Sequence, residues 1–166
     1  PEYRLFGPAT VLEPPRDGSQ LDAHLVERAL VEIHERNPVE VVVMDMTNGA
    51  QLSQWIEEEL GAQVVDRQQS NPLACLDYAR FMEALREGWL HHTGDVALTQ
   101  HALNAIARML PLGDVKFERP KESRTVRDDL ARRRVIDALV AAAMVHSTAA
   151  ASLDTPKYTG PMVAFG

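Results

Sequence analysis

Cysteine is nearly absent from this chain, in which Cys75 is the only one among 166 residues. A single cysteine excludes an internal disulfide and any cysteine-rich zinc site, and it fits a reducing, intracellular setting. Long apolar runs are also missing, since none approaches the roughly 20 residues that a membrane-spanning helix needs. The opening residues, PEYR, have neither the charge pattern nor the apolar core of a signal peptide. We therefore expect neither a disulfide scaffold nor a membrane-spanning protein.

Positive charge is in short supply, because 17 Lys and Arg residues face 24 Asp and Glu residues, for a net charge of −7. This balance argues against a protein that coats nucleic acid through bulk charge, so any DNA contact must come from a local patch. The length fits one domain with a real core. The chain also lacks an initiator methionine. We expect a piece of a longer protein, although methionine removal or a tag would leave the same sequence.

Predicted strands and helices alternate along the chain, which favours an α/β sandwich. The apolar run at residues 39–46 does not alternate, which is typical of a strand covered on both faces, so we expect it to be central in its sheet. Helical spacing and chain breakers predict helices at residues 21–37, 50–60, 73–87 and 95–110, and a last helix that ends near residue 150. Further strands are predicted at residues 3–12, 63–67 and 114–119, a connector at 89–95 and an extended C-terminal tail at 151–166.

Two carboxylates stand out by their surroundings. Asp45 follows the apolar run of residues 41–44, and Asp137 lies within the sequence RRRVIDALVAAAMVH of residues 132–146. A buried carboxylate is costly unless it is hydrogen-bonded, paired with a cation or bound to a metal. The carboxyl ends of strands in open α/β sheets bind ligands, and hard cations prefer oxygen ligands. The pair therefore predicts a metal-dependent active site.

Each of these acids has a simpler interpretation. Asp45 is also well placed to cap the helix that starts near Gly49, or to accept hydrogen bonds from backbone amides in a turn. Asp137 is also well placed for an ion pair with Arg133 or Arg134, since residues about one helical turn apart can meet. Both interpretations stay open at this stage.

A basic segment precedes Asp137 in an otherwise acidic chain. Lys and Arg side chains that contact phosphates position nucleic acid without reading its sequence. The alternative is a solvated charged loop, because acids such as Glu122 and Asp128 are interleaved. The residues that we expect to contact the DNA backbone are Arg119, Lys121, Arg124, Arg127 and Arg133, and Lys116, Arg132 and Arg134 add to the same charge.

Four segments together resemble the nuclease domain of the large terminase subunit of tailed bacteriophages, which has a ribonuclease H-like fold. They are VVVMD at residues 41–45, FMEALREGWLHHTGD at 81–95, LTQHALNA at 98–105 and RRVIDALVAA at 133–142. Their combined order is specific, and the resemblance covers residues 11–150. It implies an α/β domain over residues 1–150, with a ribonuclease H-like mixed central sheet flanked by helices, followed by the tail at 151–166.

The resemblance implies an endonuclease that depends on Mg²⁺ or Mn²⁺ and cuts concatemeric, double-stranded viral DNA by two-metal hydrolysis. Asp45 matches the family's second acidic position and Asp137 its late-helix acid, so both are expected to be catalytic metal ligands. The implied partners are double-stranded DNA, a terminase ATPase domain in the same parent chain, the small terminase subunit and the portal. The implied location is the host cytoplasm, for a viral protein that is not in the mature virion.

The resemblance also gives a role to the segment around His91, His92 and Asp95, which would lie in a loop near the active face and touch DNA or a metal-bound water. The alternatives are hydrogen-bonded structural histidines and a helix cap at Asp95. His146 lies nine positions after Asp137, an offset of about 180° on a helix, so we expect it to face away from the site.

The sequence departs from the family at its opening strand, where the family carries its first aspartate. The acids before Asp17 are Glu2 and Glu13, and neither lies in the small-residue strand of the family motif. We therefore expect that the chain is N-terminally truncated, that it lacks one strand and one ligand, and that alone it binds metal weakly and cuts poorly. A catalytically silent ribonuclease H-like domain that docks DNA or packaging partners is the alternative function.

Overall fold

The computed structural model describes residues 4–7, 9–13, 15, 17, 19–120, 134–152 and 162–165. Helices and strands both recur along these residues, which confirms the predicted α/β class at the level of mixed helix and strand content. The strands are β1 (Arg4–Phe6), β2 (Val41–Met44), β3 (Gln63–Asp66), β4 (Leu90–His92), β5 (Ile106–Met109), β6 (Val115–Glu118) and β7 (Met162–Phe165). The helices are α1 (Ala23–Arg36), α2 (Ala50–Trp55), α3 (Asn71–Arg86), α4 (Val96–Asn104) and α5 (Asp137–Ser152), and a π-helical turn at Ile56–Leu60 extends α2.

The main sheet has the order β3-β2-β7, and its strands are parallel. All four residues of β2 are buried, because the strand has a neighbour on each side and helices over both faces. The prediction that residues 39–46 hold a central strand is therefore confirmed. Two smaller sheets pair β1 with β4 in parallel and β5 with β6 in antiparallel orientation.

The two faces of β2 contribute to different cores, since side chains alternate along a strand. On one face, Val42 and Met44 pack with Leu30 of α1 and Ile56. On the other face, Val41 and Val43 pack with Met144 of α5. The main sheet is thus the middle layer between α1 and α2 on one side and α5 on the other.

The helices α3 and α5 pack against each other beside this sheet. Phe81 of α3 contacts a patch of α5 that includes Leu139 and the small residues Ala142 and Ala143. Phe117 of β6 closes this core and meets Phe81 edge to face, with ring centroids 6.0 Å apart. The predicted helix over residues 73–87 is confirmed as α3, with an earlier start.

The predicted helix over residues 95–110 is wrong in its second half. The helix α4 ends at Asn104, and residues 106–109 form β5 of a hairpin with β6. Its turn is closed by a hydrogen bond of 2.7 Å from the Leu110 N–H to the Asp114 carbonyl, and Gly113 adopts a φ of +91° that favours glycine. The antiparallel pairing with β6 overrides the helical spacing of these residues. The spacing itself gives no indication of that pairing.

Two further segments gain strands that the sequence did not predict. Residues 90–92, expected to lie in a connector, form β4 beside β1. Residues 162–165, expected to lie in an extended tail, form β7 beside β2, with Val42 opposite Val163. Both strands have three or four residues, so their local pattern is too short to separate from loop. Among the described residues, no helix is both long and apolar enough to cross a lipid bilayer.

Leu30 offers a direct test of the core between α1 and β2, because its side chain is fully buried. Leu30→Ala is expected to lower the free energy of unfolding by about 2–5 kcal/mol through lost burial and a residual cavity. Leu103→Ala, at a position 77% exposed on α4, should change it by less than about 0.5 kcal/mol. Urea unfolding followed by circular dichroism gives both values, and equal effects would contradict the assigned core.

Candidate metal and nucleic-acid site

Asp45 directly follows β2 at the carboxyl edge of the main sheet and caps the short 3₁₀ turn Met46–Asn48. Its Oδ1 accepts hydrogen bonds from the Thr47 N–H at 3.0 Å and from the Thr47 hydroxyl, and its Oδ2 accepts one from the Gln69 N–H at 3.3 Å. The cap and turn interpretation of Asp45 therefore describes its geometry. An ionised carboxylate offers about four lone-pair positions, so these three bonds leave room for a further ligand.

These bonds also favour the charged form of Asp45. The Thr47 hydroxyl, then the Thr47 and Gln69 backbone N–H groups, hold the pKa of the Asp45 carboxyl below its usual range. A carboxylate that stays ionised is the form that binds a cation.

The lowered pKa predicts how Asp45 responds to acid. Its contribution to stability is present above the ordinary aspartate value of about 3.9 and is lost as the pH falls through the lower folded value. Thr47→Val removes the largest cause and should move the pKa up towards the ordinary value. Carboxyl ¹³C NMR titration of both proteins measures this directly, and an Asp45 pKa at or above the ordinary value in the unchanged chain would contradict it.

Asp66 lies beside Asp45 and was missed by the sequence analysis. It ends β3, pairs in register with Met44, and its Oδ1 accepts a hydrogen bond of 3.2 Å from the Met46 N–H. Its carboxylate and that of Asp45 therefore both bind the backbone at the start of the same turn. The available signal was the parallel order of two predicted strands that each carry an acid one position before their end, since parallel strands end at the same sheet edge.

Asp137 is the first residue of α5 and is exposed, so it does not lie inside an apolar helix as expected. A carboxylate in the first turn of a helix interacts favourably with the helix dipole. This interaction explains an acid at position 137 although its side chain is exposed. The alternative was an ion pair of Asp137 with Arg133 or Arg134, and Arg133 lies outside the described residues. Among the ion pairs of the described part of the chain, none joins Arg134 to Asp137.

In the segment that carries His91, His92 and Asp95, the hydrogen bonds are those of a helix cap and a structural histidine. Asp95 caps α4, with its Oδ1 accepting the Leu98 N–H at 2.8 Å. His91 and His92 are exposed on β4, and Nδ1 of His92 accepts the Gly94 N–H at 3.1 Å. Their expected place near an active face stays a prediction.

The basic segment is described only at its two ends. Arg119 follows β6 and is exposed, and Arg134 is exposed just before α5. Lys116 on β6 donates to Oδ1 of Asn71 at 2.9 Å. The expected DNA contacts Lys121, Arg124, Arg127 and Arg133 lie outside the described residues.

A partly buried polar network joins the carboxyl end of β3 to α3 and α5. The Arg67 guanidinium forms an ion pair with Asp77 and donates to the Ser147 hydroxyl at 3.2 Å. Arg80 donates to the same hydroxyl and to the Ser147 carbonyl, both at 3.1 Å. His146 is also buried, where its ring meets Phe81 edge to face. The network fixes α5 against the residues that follow Asp66.

Within the described ranges, no group of three or more His, Cys, Asp or Glu side chains is close enough to hold a metal ion. The acids that the described structure brings to the carboxyl edge of the main sheet are Asp45, just after β2, and Asp66, at the end of β3. Carboxylate oxygens are nonetheless the donors that Mg²⁺ and Mn²⁺ prefer, so the chemistry of the pair fits such an ion. Comparison with known proteins finds no matching family model, no matching curated protein and no matching solved structure.

Proposed function

We propose that this chain is the nuclease domain of a bacteriophage large terminase subunit, a ribonuclease H-like endonuclease that cuts double-stranded concatemeric DNA with Mg²⁺ or Mn²⁺. The observation that carries the proposal is the place of Asp45, immediately after the central strand of a parallel sheet. Ligand sites of open α/β sheets lie at this edge. The four sequence segments that resemble the family support the same function.

The chemistry of the sheet edge supports a cation site. Asp45 is held ionised by its hydrogen bonds, and Asp66 brings a second carboxylate to the neighbouring strand end. We assign Asp45 and Asp137 as metal ligands and Asp66 as an acid beside Asp45, and the proposal requires the ion to gather carboxylates that do not form a group of three in the described part of the structure. A bound divalent cation would supply Lewis-acid stabilisation of charge on the scissile phosphate. The carboxylates would hold and orient it.

The proposal requires the carboxylate of Asp137 to reach the same site from the start of α5. The helix α5 packs on β2 through Met144, which ties the helix to the strand that precedes Asp45. Asp137 is exposed at the helix start and therefore accessible to a ligand. Two ions of a shared site are about 3.5–4 Å apart, so carboxylates more than roughly 12 Å apart would exclude it.

We assign DNA-backbone binding to the basic segment, with Arg119 at its described end and Arg124 and Arg127 within it. Replacing Arg124 and Arg127 with Ala should weaken binding equally across DNA sequences. It should also reduce the slope of log K against log salt by about 0.9 for each lost phosphate contact. Arg36→Ala, an exposed charge on α1 across the sheet, is the control. A salt slope that the double variant leaves unchanged would place the DNA contact elsewhere.

The remaining parts of the proposal follow from the family. An ATPase domain in the same parent chain, the small terminase subunit and the portal are proposed partners, and the host cytoplasm is the proposed location. The chain lacks a Gly-rich, lysine-bearing phosphate loop, so ATP hydrolysis is assigned to the rest of the parent.

Nicking of supercoiled plasmid in Mn²⁺, in Mg²⁺ and in EDTA tests the proposed activity. This chain should cut weakly or not at all, and a longer chain that extends upstream of Pro1 to the family's first acidic strand should cut in either metal and not in EDTA. A longer chain that binds DNA without cutting in any metal would instead support the silent docking domain. Cutting that persists in EDTA would contradict a metal-dependent nuclease.

A further inference from the structure

The helix α4 presents two side chains to the segment that leads into α5. His101 is buried, and its Nδ1 accepts a hydrogen bond of 2.9 Å from the N–H of Ala138. Asn104, three residues later on the same helix, donates its side-chain N–H to the Val135 carbonyl at 3.0 Å. Residues three apart on a helix lie on one face, so the two side chains act together. Their contacts bracket Asp137 on both sides.

The first turn of α5 needs these contacts, because the first N–H groups of a helix have no partner within it. Such groups are usually satisfied by Ser, Thr, Asp or Asn just before the helix. The three residues before α5 are Arg134, Val135 and Ile136, and none of them can act as such a cap. The cap comes instead from His101, 37 positions earlier in the chain.

We propose that His101 and Asn104 are positioning residues that fix the backbone on both sides of Asp137, with His101 held as the neutral tautomer that carries its proton on Nε2. The tautomer follows from the contact, since the Ala138 N–H can only donate and Nδ1 must therefore keep its lone pair. Neither side chain contacts the reacting atoms in this account. Their effect on metal binding through Asp137 rests on the function proposed above.

Two substitutions of His101 separate positioning from mere packing. His101→Asn places an acceptor oxygen near the position of Nδ1, whereas His101→Gln places its polar atoms near Nε2 and loses the bond to Ala138. Both variants lose the imidazole ring, so their stabilities should be lowered similarly. We expect slow amide exchange of Ala138 to survive in His101→Asn and to rise at least tenfold in His101→Gln. Asn104→Ala should speed exchange at Ala138 less than His101→Gln does.

The histidine itself gives a second readout on the unchanged chain. Imidazole ¹⁵N spectra at neutral pH should show His101 with a protonated Nε2 and an unprotonated Nδ1. The opposite tautomer would overturn the proposal, as would equal Ala138 exchange in the Asn and Gln variants. Neither measurement depends on nuclease activity.

The metal consequence is measured with Mn²⁺ alone. His101→Gln should weaken Mn²⁺ binding by about tenfold, in the range for residues that support a metal ligand, and His101→Asn should stay near the unchanged chain. Ile56→Val, which loosens the core beneath α1, should leave Mn²⁺ binding unchanged and so controls for lost stability. If the unchanged chain and its longer form bind no Mn²⁺, the proposed function fails. The amide-exchange and ¹⁵N results would still test whether His101 fixes the start of α5.

Discussion

Asp45→Ala, made in the longer parent chain that the proposed function implies, is expected to lower Mn²⁺-dependent plasmid nicking by at least about 100-fold. Loss of a residue that merely supports a metal ligand costs about 10–100-fold, and loss of the ligand itself removes both a donor and a compensating charge. Asp137→Ala should have an effect of the same size. Asp66→Ala should weaken cutting if its carboxylate shares the ion, as its place beside Asp45 suggests.

Stability must be separated from chemistry in that comparison, since Asp45 also caps the turn that follows β2. Asp22→Ala is the matched control, because Asp22 caps α1 through one backbone N–H and its loss should cost about 1 kcal/mol. Nicking by Asp22→Ala should therefore stay near that of the unchanged protein. Full activity of the variant lacking both Asp45 and Asp137 would show that the ligand assignment is wrong.

Asp77→Ala is expected to lower the free energy of unfolding by about 3–5 kcal/mol. The Asp77 and Arg67 side chains are only 7% and 16% exposed, so the substitution leaves a guanidinium without its counter-charge in a largely buried position. The bond from Arg67 to Ser147 cannot replace the ion pair, since a hydroxyl is neutral. Urea unfolding monitored by tryptophan fluorescence measures the loss.

The chain offers a matched pair as the control for this effect. Arg108 and Glu118 also form an ion pair, but their side chains are 42% and 23% exposed. Glu118→Ala should therefore cost no more than about 1 kcal/mol. The double variant Arg67→Met with Asp77→Leu should recover most of the loss, because a buried ion pair can often be replaced by apolar side chains. Similar losses for Asp77→Ala and Glu118→Ala would contradict a buried, coupled pair.

The parts of the fold with strong local patterns could be predicted from the sequence. The unbroken apolar run that contains β2 indicated a central strand, and the spacing of apolar residues indicated α1 and α3. The strand β5 could not be predicted, because residues 96–110 carry a helical pattern throughout and only the distant partner β6 decides otherwise. The strands β4 and β7 are too short for a periodic signal.

The candidate site was predictable only in part. Asp45 stood out because it follows the central strand. Its hydrogen bond from the Thr47 N–H matches the alternative in which it caps a turn. Asp66 gave no local signal, since its importance comes from the register of β3 against β2. The contact of His101 with the start of α5 joins residues 37 positions apart. It could not be predicted from the local sequence of α4 or of α5.

Paramagnetic broadening by Mn²⁺ alone tests the central claim, that Asp45 and Asp137 share a metal site, most directly. Backbone amide signals of this chain would be recorded by NMR during addition of substoichiometric Mn²⁺. We expect the amides of Thr47, Gln69 and Ala138 to broaden together and before the rest of the chain, since the first two bind Asp45 and the third follows Asp137. Broadening at only one of the two places, or at neither, would contradict a shared site.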